Sequence, residues 1–166
     1  MSPLILTLEL DPHSFEIFNA LRKEHFPPER NFLDAHITLF HKLPGEEEPS
    51  IKAKLQEISS HSALTLSFSS LRFLGKGVAI NVESSELLEI RRRLATTWLD
   101  WLEAQDKQPF KPHVTVQNKA TPKEAKRLLE QLQHTWVPLT GKGTGFLLWR
   151  YLGGPWELLE KFPFSK

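Results

Sequence analysis

The chain states one short pattern twice. His36-Ile37-Thr38-Leu39 returns 77 residues later as His113-Val114-Thr115-Val116, and Arg72-Phe73-Leu74-Gly75 returns 78 residues later as Arg150-Tyr151-Leu152-Gly153. Two motifs in the same order and nearly the same register constrain the fold more than any single element does. Each half reads as strand, helix, His-bearing strand, helix and strand, with an Arg-aromatic-Leu-Gly turn following. The simplest architecture is a duplicated β-α-β unit packed about a pseudo-twofold axis. An old duplication that kept only its core pattern accounts for the apolar pairs Ile37/Leu39 and Val114/Val116. It does not account for His and Thr on the opposite face of both strands.

Local signals fill in the elements. Leu4 to Leu10 is apolar and suits a buried first strand rather than a signal peptide, since it lacks a basic leader and a cleavage site. Asp11-Pro12 starts a helix carrying Phe15, Phe18, Leu21 and His25, which Pro27-Pro28 ends. Ala35 to Phe40 is the first His strand, and Ser50 to Ser60 a short helix. Leu64 to Phe68 is a strand, and Leu71–Leu74 and Val78–Val82 form a hairpin around Gly75-Lys76-Gly77. A long helix runs from Ser84 or Ser85 to about Ala104, with Leu87, Ile90, Leu94, Trp98 and Trp101 as its apolar stripe and Arg91-Arg92-Arg93 as a partly solvated face. Pro112 to Gln117 is the second His strand. Thr121-Pro122-Lys123-Glu124 matches a capping box. A closing strand pair, Thr144–Arg150 and Trp156–Leu159, flanks Gly153-Gly154-Pro155.

Strand alternation places His36 and Thr38 on one face, and His113 and Thr115 likewise. Pseudo-twofold packing brings the two pairs to one cleft. An unperturbed imidazole titrates near ~6.5, so at neutral pH one ring can accept a proton while the other delivers one. The Thr38 and Thr115 hydroxyls can donate to non-bridging phosphate oxygens. That is the equipment for breaking a phosphodiester without a metal. A lone strand His is more often structural than catalytic; the symmetry of the pair is what raises the functional reading. Two His without a third ligand make a poor metal set, and alternation sends His41 to the other face. No Gly-x-Ser-x-Gly elbow, dinucleotide fingerprint or P-loop is present.

Continuing the same alternation puts Phe40 and Lys42 beyond Thr38, and Gln117 and Lys119 beyond Thr115. Lys42 and Lys119 are again 77 residues apart. These lysines could attract phosphate, and Phe40 could stack on a base, although strands often end in exposed Lys. Arg72 and Arg150 could hold phosphate or simply cap their hairpins. Trp98, Trp101 and Trp136 read as core; Trp149, Tyr151 and Trp156 are candidates for one end of the cleft.

Bulk properties exclude several classes. With no Cys there is no disulfide, thiolate site or Cys nucleophile, and a net charge of +1 gives no global field for duplex nucleic acid. No apolar stretch reaches membrane-spanning length. The 166 residues fit one domain made of two lobes whose boundary lies near 76–84, with strands free to exchange between them. A monomeric cytoplasmic protein is the expectation.

The two motifs, in a duplicated chain of this length, resemble the two-histidine (2H) phosphoesterase superfamily. His36 to Pro44, Pro112 to Lys119 and Leu148 to Trp156 are similar to the corresponding stretches of the bacterial 2′-5′ RNA ligase family within it. The resemblance implies an α+β, bilobal fold with antiparallel sheets lining a central cleft and helices outside. It implies that His36 and His113 are the paired catalytic histidines and that Thr38 and Thr115 bind phosphate. Family activities include opening of 2′,3′-cyclic phosphates, cleavage of 2′-5′ linkages and, in some members, reversible RNA joining, with no nucleotide cofactor or metal. Members often carry a basic residue soon after the second motif, where this chain has Gln117 before Lys119; that departure weighs against ligation. Small nucleotides or RNA ends are the expected substrates. The competing classes are a non-catalytic nucleotide- or RNA-end-binding module on the same fold, and a structural domain acting through protein contacts.

Overall fold

The computed structural model describes residues 1–166. In chain order the elements are β1 (Leu4–Leu10), α1 (Pro12–His25), β2 (Ile37–Leu43), α2 (Glu48–Ile58), β3 (Leu64–Phe68), β4 (Leu71–Phe73), β5 (Val78–Asn81), α3 (Ser85–Thr97), α4 (Ala104–Lys107), β6 (His113–Gln117), α5 (Pro122–Thr135), β7 (Leu139–Tyr151) and β8 (Trp156–Pro163). The fold is α+β, with two antiparallel sheets. The larger has the order β2-β1-β7-β3, with β8 also on β7; the smaller has the order β4-β5-β6. The small sheet therefore joins β4 and β5 to β6 of the second sequence half, and β7 pairs with β1 and β3 of the first.

Helix starts follow from side-chain caps that satisfy otherwise orphaned N–H groups. Asp11 accepts from the Ser14 N–H, with Pro12 in the first turn, and Ser84 accepts from the Leu87 N–H. Thr121 and Glu124 form a reciprocal capping box. One continuous core joins both sheets: Leu4, Leu6 and Leu8 of β1 share it with Ile80 of β5 and Val114 and Val116 of β6.

α3 ends at Thr97, not near Ala104. The Thr96 and Thr97 hydroxyls bond back to the Arg92 and Arg93 carbonyls, which weakens the last turn. A 3-10 turn over Leu99–Trp101 then redirects the chain, and Leu102 is extended. Arg92 and Arg93 are exposed as expected, but Arg91 is buried. It lies four residues after Leu87 on the helix's apolar stripe.

Both hairpin glycines of the repeated Arg-aromatic-Leu-Gly motif adopt positive φ, +86° at Gly75 and +89° at Gly153, which side chains with a Cβ disfavour. Gly77 is required for a different reason, because a Cβ there would overlap the Gln117 carbonyl on the neighbouring strand. Gly77→Ala is expected to lower stability by about 2 kcal/mol or more, read as a fall in the urea midpoint at unchanged slope.

Candidate active site

The two His-x-Thr pairs line one cleft of about 470 Å³, together with His41, Arg72, Arg91, Asp106, Lys111 and Trp156 among others. His36 immediately precedes β2, and His113 opens β6. Each ring is oriented in the same way. Nδ1 of His36 lies 2.7 Å from the Asp34 carbonyl, and Nδ1 of His113 lies 2.9 Å from the Lys111 carbonyl, in both cases two residues upstream. A carbonyl only accepts, so Nδ1 of His36 carries the proton and Nε2 of its neutral ring keeps the lone pair, whereas Nδ1 of His113 faces both such an acceptor and a donor, Arg72 Nη1 at 3.0 Å.

Strand pairing repeats too. Thr38 opposes Thr7 and Thr115 opposes Ala79, and immediately beyond each Thr the register slips by one residue. Leu39 is the extra residue in β2 and Val116 in β6. A bulge of this kind reverses every later side chain relative to simple alternation. That is why Phe40 and Gln117 are not in the cleft. Phe40 is fully buried against Trp98, with the Arg91 guanidinium 3.9 Å above its ring centroid. Gln117 is buried and donates to the His25 carbonyl. A second register slip lies further along β2, between Phe40 and Leu43. The first slip already turns His41 into the cleft; the second returns Leu43 to the core, and Lys42 stays outside, paired with Glu103 at 3.1 Å. Lys119 is exposed in a left-handed turn with φ +59° and does not line the cleft. Arg150 is spent on Glu48 and Glu157, and Tyr151 lies outside both the cleft and its neighbouring groove.

Groups that the sequence did not single out hold the bulges in shape. The Asp106 carboxylate, almost fully buried, accepts from the backbone N–H of His41 at 2.9 and 3.0 Å and of Lys42 at 2.9 Å, and lies 3.1 Å from His41 Nδ1. Burial raises its pKa, but these bonds outweigh it and hold the carboxyl below the usual range. Arg91 of α3 donates through Nε to the Leu39 carbonyl at 2.7 Å. In the opposite direction, Arg22 of α1 donates through Nη1 to the Thr115 carbonyl at 2.8 Å. A buried arginine from each sequence half thus reaches across to the His strand of the other. Burial lowers both guanidinium pKa values, that of Arg22 to about 10.

The cleft also sets the state of its histidines. Burial lowers the His36 pKa to about 4; the Asp34 carbonyl opposes the shift, and the charges of Arg22, His113 and His41 add to it. Burial likewise lowers the His113 pKa, with Arg72 and His41 adding to the shift. Arg72 donates to the Lys111 carbonyl at 3.2 Å and places Nη1 3.0 Å from His113 Nδ1, so it faces the ring as a neighbouring charge. The cleft's one carboxylate, Asp106, is committed to β2 and Arg91 to the Leu39 and Asp106 carbonyls, which leaves Arg72 and Lys111 as the remaining cations of the lining. The cleft is built to receive an anion. No three His, Asp or Glu side chains converge as a metal-ligand set, and no helix is long and apolar enough to cross a membrane.

Comparison with known proteins agrees with this architecture. Residues 10–155 match the family model described as the 2′-5′ RNA ligase superfamily. TT0787 of Thermus thermophilus superposes with a TM-score of 0.71 at 18% identity, covering 98% of this chain and 97% of that one. E. coli LigT complexed with 3′-AMP gives a TM-score of 0.68 at 18% identity, covering 99% of both chains. LigT complexed with ATP gives 0.61 at 19% identity, covering 100% of both chains. At these identities the likeness concerns the fold. Comparison with curated proteins gives no match.

Proposed function

The chain belongs to the 2′-5′ RNA ligase superfamily, and from that membership and the cleft's geometry we propose a phosphoesterase that opens 2′,3′-cyclic phosphates or cleaves 2′-5′ diesters of nucleotides or RNA ends. The observation that carries this reading is the matched presentation of His36 and His113, each fixed through Nδ1 by the carbonyl two residues before it. One catalytic unit spans residues 1–166, its two lobes contributing one His-x-Thr strand each.

In this reading the neutral imidazole at His36 takes a proton from the attacking water through Nε2. The imidazolium at His113 gives its proton to the departing ribose oxygen. Thr38 and Thr115 donate to the non-bridging oxygens, where negative charge grows in the transition state. Arg72 and Lys111 draw the phosphate in. His36 is assigned as the base because its pKa is pushed down to about 4, which keeps it neutral at working pH. No nucleotide cofactor or resident metal enters these steps. The LigT structure with 3′-AMP supports a nucleotide as ligand.

The test is EDTA-treated protein incubated with the four 2′,3′-cyclic nucleotides and a 2′-5′-linked dinucleotide. Appearance of nucleoside 2′- or 3′-monophosphate is expected, and its position shows which ester bond breaks. Absence of product from every substrate, with the protein folded, would overturn the reading in favour of a binding module.

A further inference from the structure

One imidazole of the cleft has no task in the proton transfers. His41 lines the same cavity as His36, Thr38, His113 and Thr115, and its side chain is 46% exposed. A carboxylate holds it there. Asp106, whose side chain is 2% exposed, lies 3.1 Å from His41 Nδ1 and also accepts the backbone N–H of the same residue. The segment that carries Asp106 is clamped to β2 in turn, because Arg91 donates to the Leu39 carbonyl at 2.7 Å and to the Asp106 carbonyl at 2.8 Å. With its carboxyl held below the usual range, Asp106 is ionised at neutral pH and only accepts. Nδ1 of His41 therefore carries a proton, and Nε2 is the ring nitrogen left for the cleft.

The repeat shows that the fold does not require an imidazole at this point. His41 and Asn118 are 77 residues apart, each lies two residues past the extra residue of its strand, and both line the cleft. Asn118 has no carboxylate behind it; its Oδ1 accepts the Lys119 N–H at 2.9 Å. The second His strand thus follows its bulge with a neutral amide, where the first places an imidazole braced by a buried anion. His41 also acts on both members of the catalytic pair. Burial lowers the pKa of His36 and of His113, and the charge of His41 adds to each shift. A ring felt by both is within reach of a phosphate held between them.

We propose that His41 is a third catalytic imidazole of the cleft, donating through Nε2–H to a non-bridging oxygen of the phosphoryl group held between His36 and His113, with Asp106 as the positioning residue behind it. This role rests on the reading of the cleft as a phosphodiester site. Bound phosphate places negative charge on one side of the ring and Asp106 on the other, and both favour the imidazolium in the complex. Thr38 and Thr115 supply neutral donors, whereas His41 supplies a charge-assisted one, which is the stronger kind. Because the Asp106 contact fixes the ring beforehand, the donor needs no rearrangement as charge grows on the oxygens in the transition state.

Inorganic phosphate, which binds without being turned over, is the probe. In a ¹⁵N-labelled sample the ring nitrogens of the seven histidines are assigned by His→Asn variants and followed during titration at pH 7. The His41 Nε2 signal is expected to shift saturably and to be protonated in the complex, with Nδ1 protonated throughout. His41→Ala keeps the backbone N–H groups that Asp106 accepts, so its urea midpoint should stay close to wild type. Its phosphate affinity should fall at least about tenfold, the reach of one charge-assisted hydrogen bond, and kcat for a 2′,3′-cyclic nucleotide should fall with it. A purely structural ring gives the opposite pattern, a lowered midpoint with unchanged phosphate affinity, and that result would overturn the role. So would a His41 Nε2 signal that is unmoved or unprotonated at saturating phosphate, even if cyclic nucleotides are turned over. Phosphate binding that moves His41 without turnover of any diester would support the contact and overturn the hydrolytic reading instead. A wild type that binds no phosphate would overturn both.

Discussion

Alanine at His36 or His113 is expected to cut kcat/KM for a 2′,3′-cyclic nucleotide by roughly 10²- to 10⁴-fold each, the usual reach of one general acid or base. Because one ring starts the proton transfer that the other completes, the double variant should be little worse than the weaker single variant. Neither ring is needed for the core, so urea midpoints should stay close to wild type. Near-normal rates in both single variants would remove the paired-histidine mechanism. The pH profile adds a sign to the test. His36, lowered to about 4, stays neutral above that value, so loss of the base should begin only near pH 4. His113 is also lowered from its ordinary value of 6.5. Its protonated fraction in the free enzyme therefore falls as pH rises, and kcat/KM should already decline through neutrality. Bound phosphate brings negative charge between the rings and favours their protonated forms, so the kcat profile should lie to the alkaline side of the kcat/KM profile. A kcat/KM profile that is flat from pH 5 to 9 would contradict these roles.

The duplication made the elements and the two His-x-Thr pairs readable from the chain, since both rest on local alternation over three or four residues. What lay beyond Thr38 and Thr115 was not readable in the same way. The alternation that would carry Phe40 and Gln117 into the cleft is broken by one extra residue in each strand, Leu39 and Val116, and no local propensity marks these bulges. Their partners are distant in sequence: Asp106 lies 65 residues from His41, and Arg22 lies 93 from Thr115. Only the helical stripes held a hint. Arg91 sits four residues after Leu87, and Arg22 four after Phe18, on faces that are otherwise apolar. A charged residue there must find polar partners inside the fold. His41 was lost for the same reason as Phe40, since the slip just beyond Thr38 reverses its direction too.

Asp106→Ala is the substitution expected to cost most stability, about 3–5 kcal/mol, the range for losing the charged member of a buried polar cluster. The carboxylate replaces the ladder partners that the slipped strand gives up at His41 and Lys42. Without it two backbone N–H groups lose their acceptor in a buried setting, each at roughly 1–3 kcal/mol. His41 also loses its orienting partner in the cleft, so kcat/KM should fall even where the protein remains folded. Asp106→Asn keeps one acceptor oxygen but turns a donor toward a backbone N–H, and an intermediate loss is expected. That variant keeps the test informative if the alanine form does not fold. The linkage has a definite sign. The folded carboxyl titrates below its ordinary value, so its stabilisation is complete above about pH 4, the unfolded pKa range of Asp, and disappears as pH falls through the lower folded value. Wild type should therefore lose stability on acidification in a window where the Asn variant, which has no carboxyl to protonate, loses less. Urea denaturation of the three proteins between pH 2.5 and 7 measures this. An alanine variant within 1 kcal/mol of wild type at pH 7 would show that the β2 bulge holds its shape without Asp106.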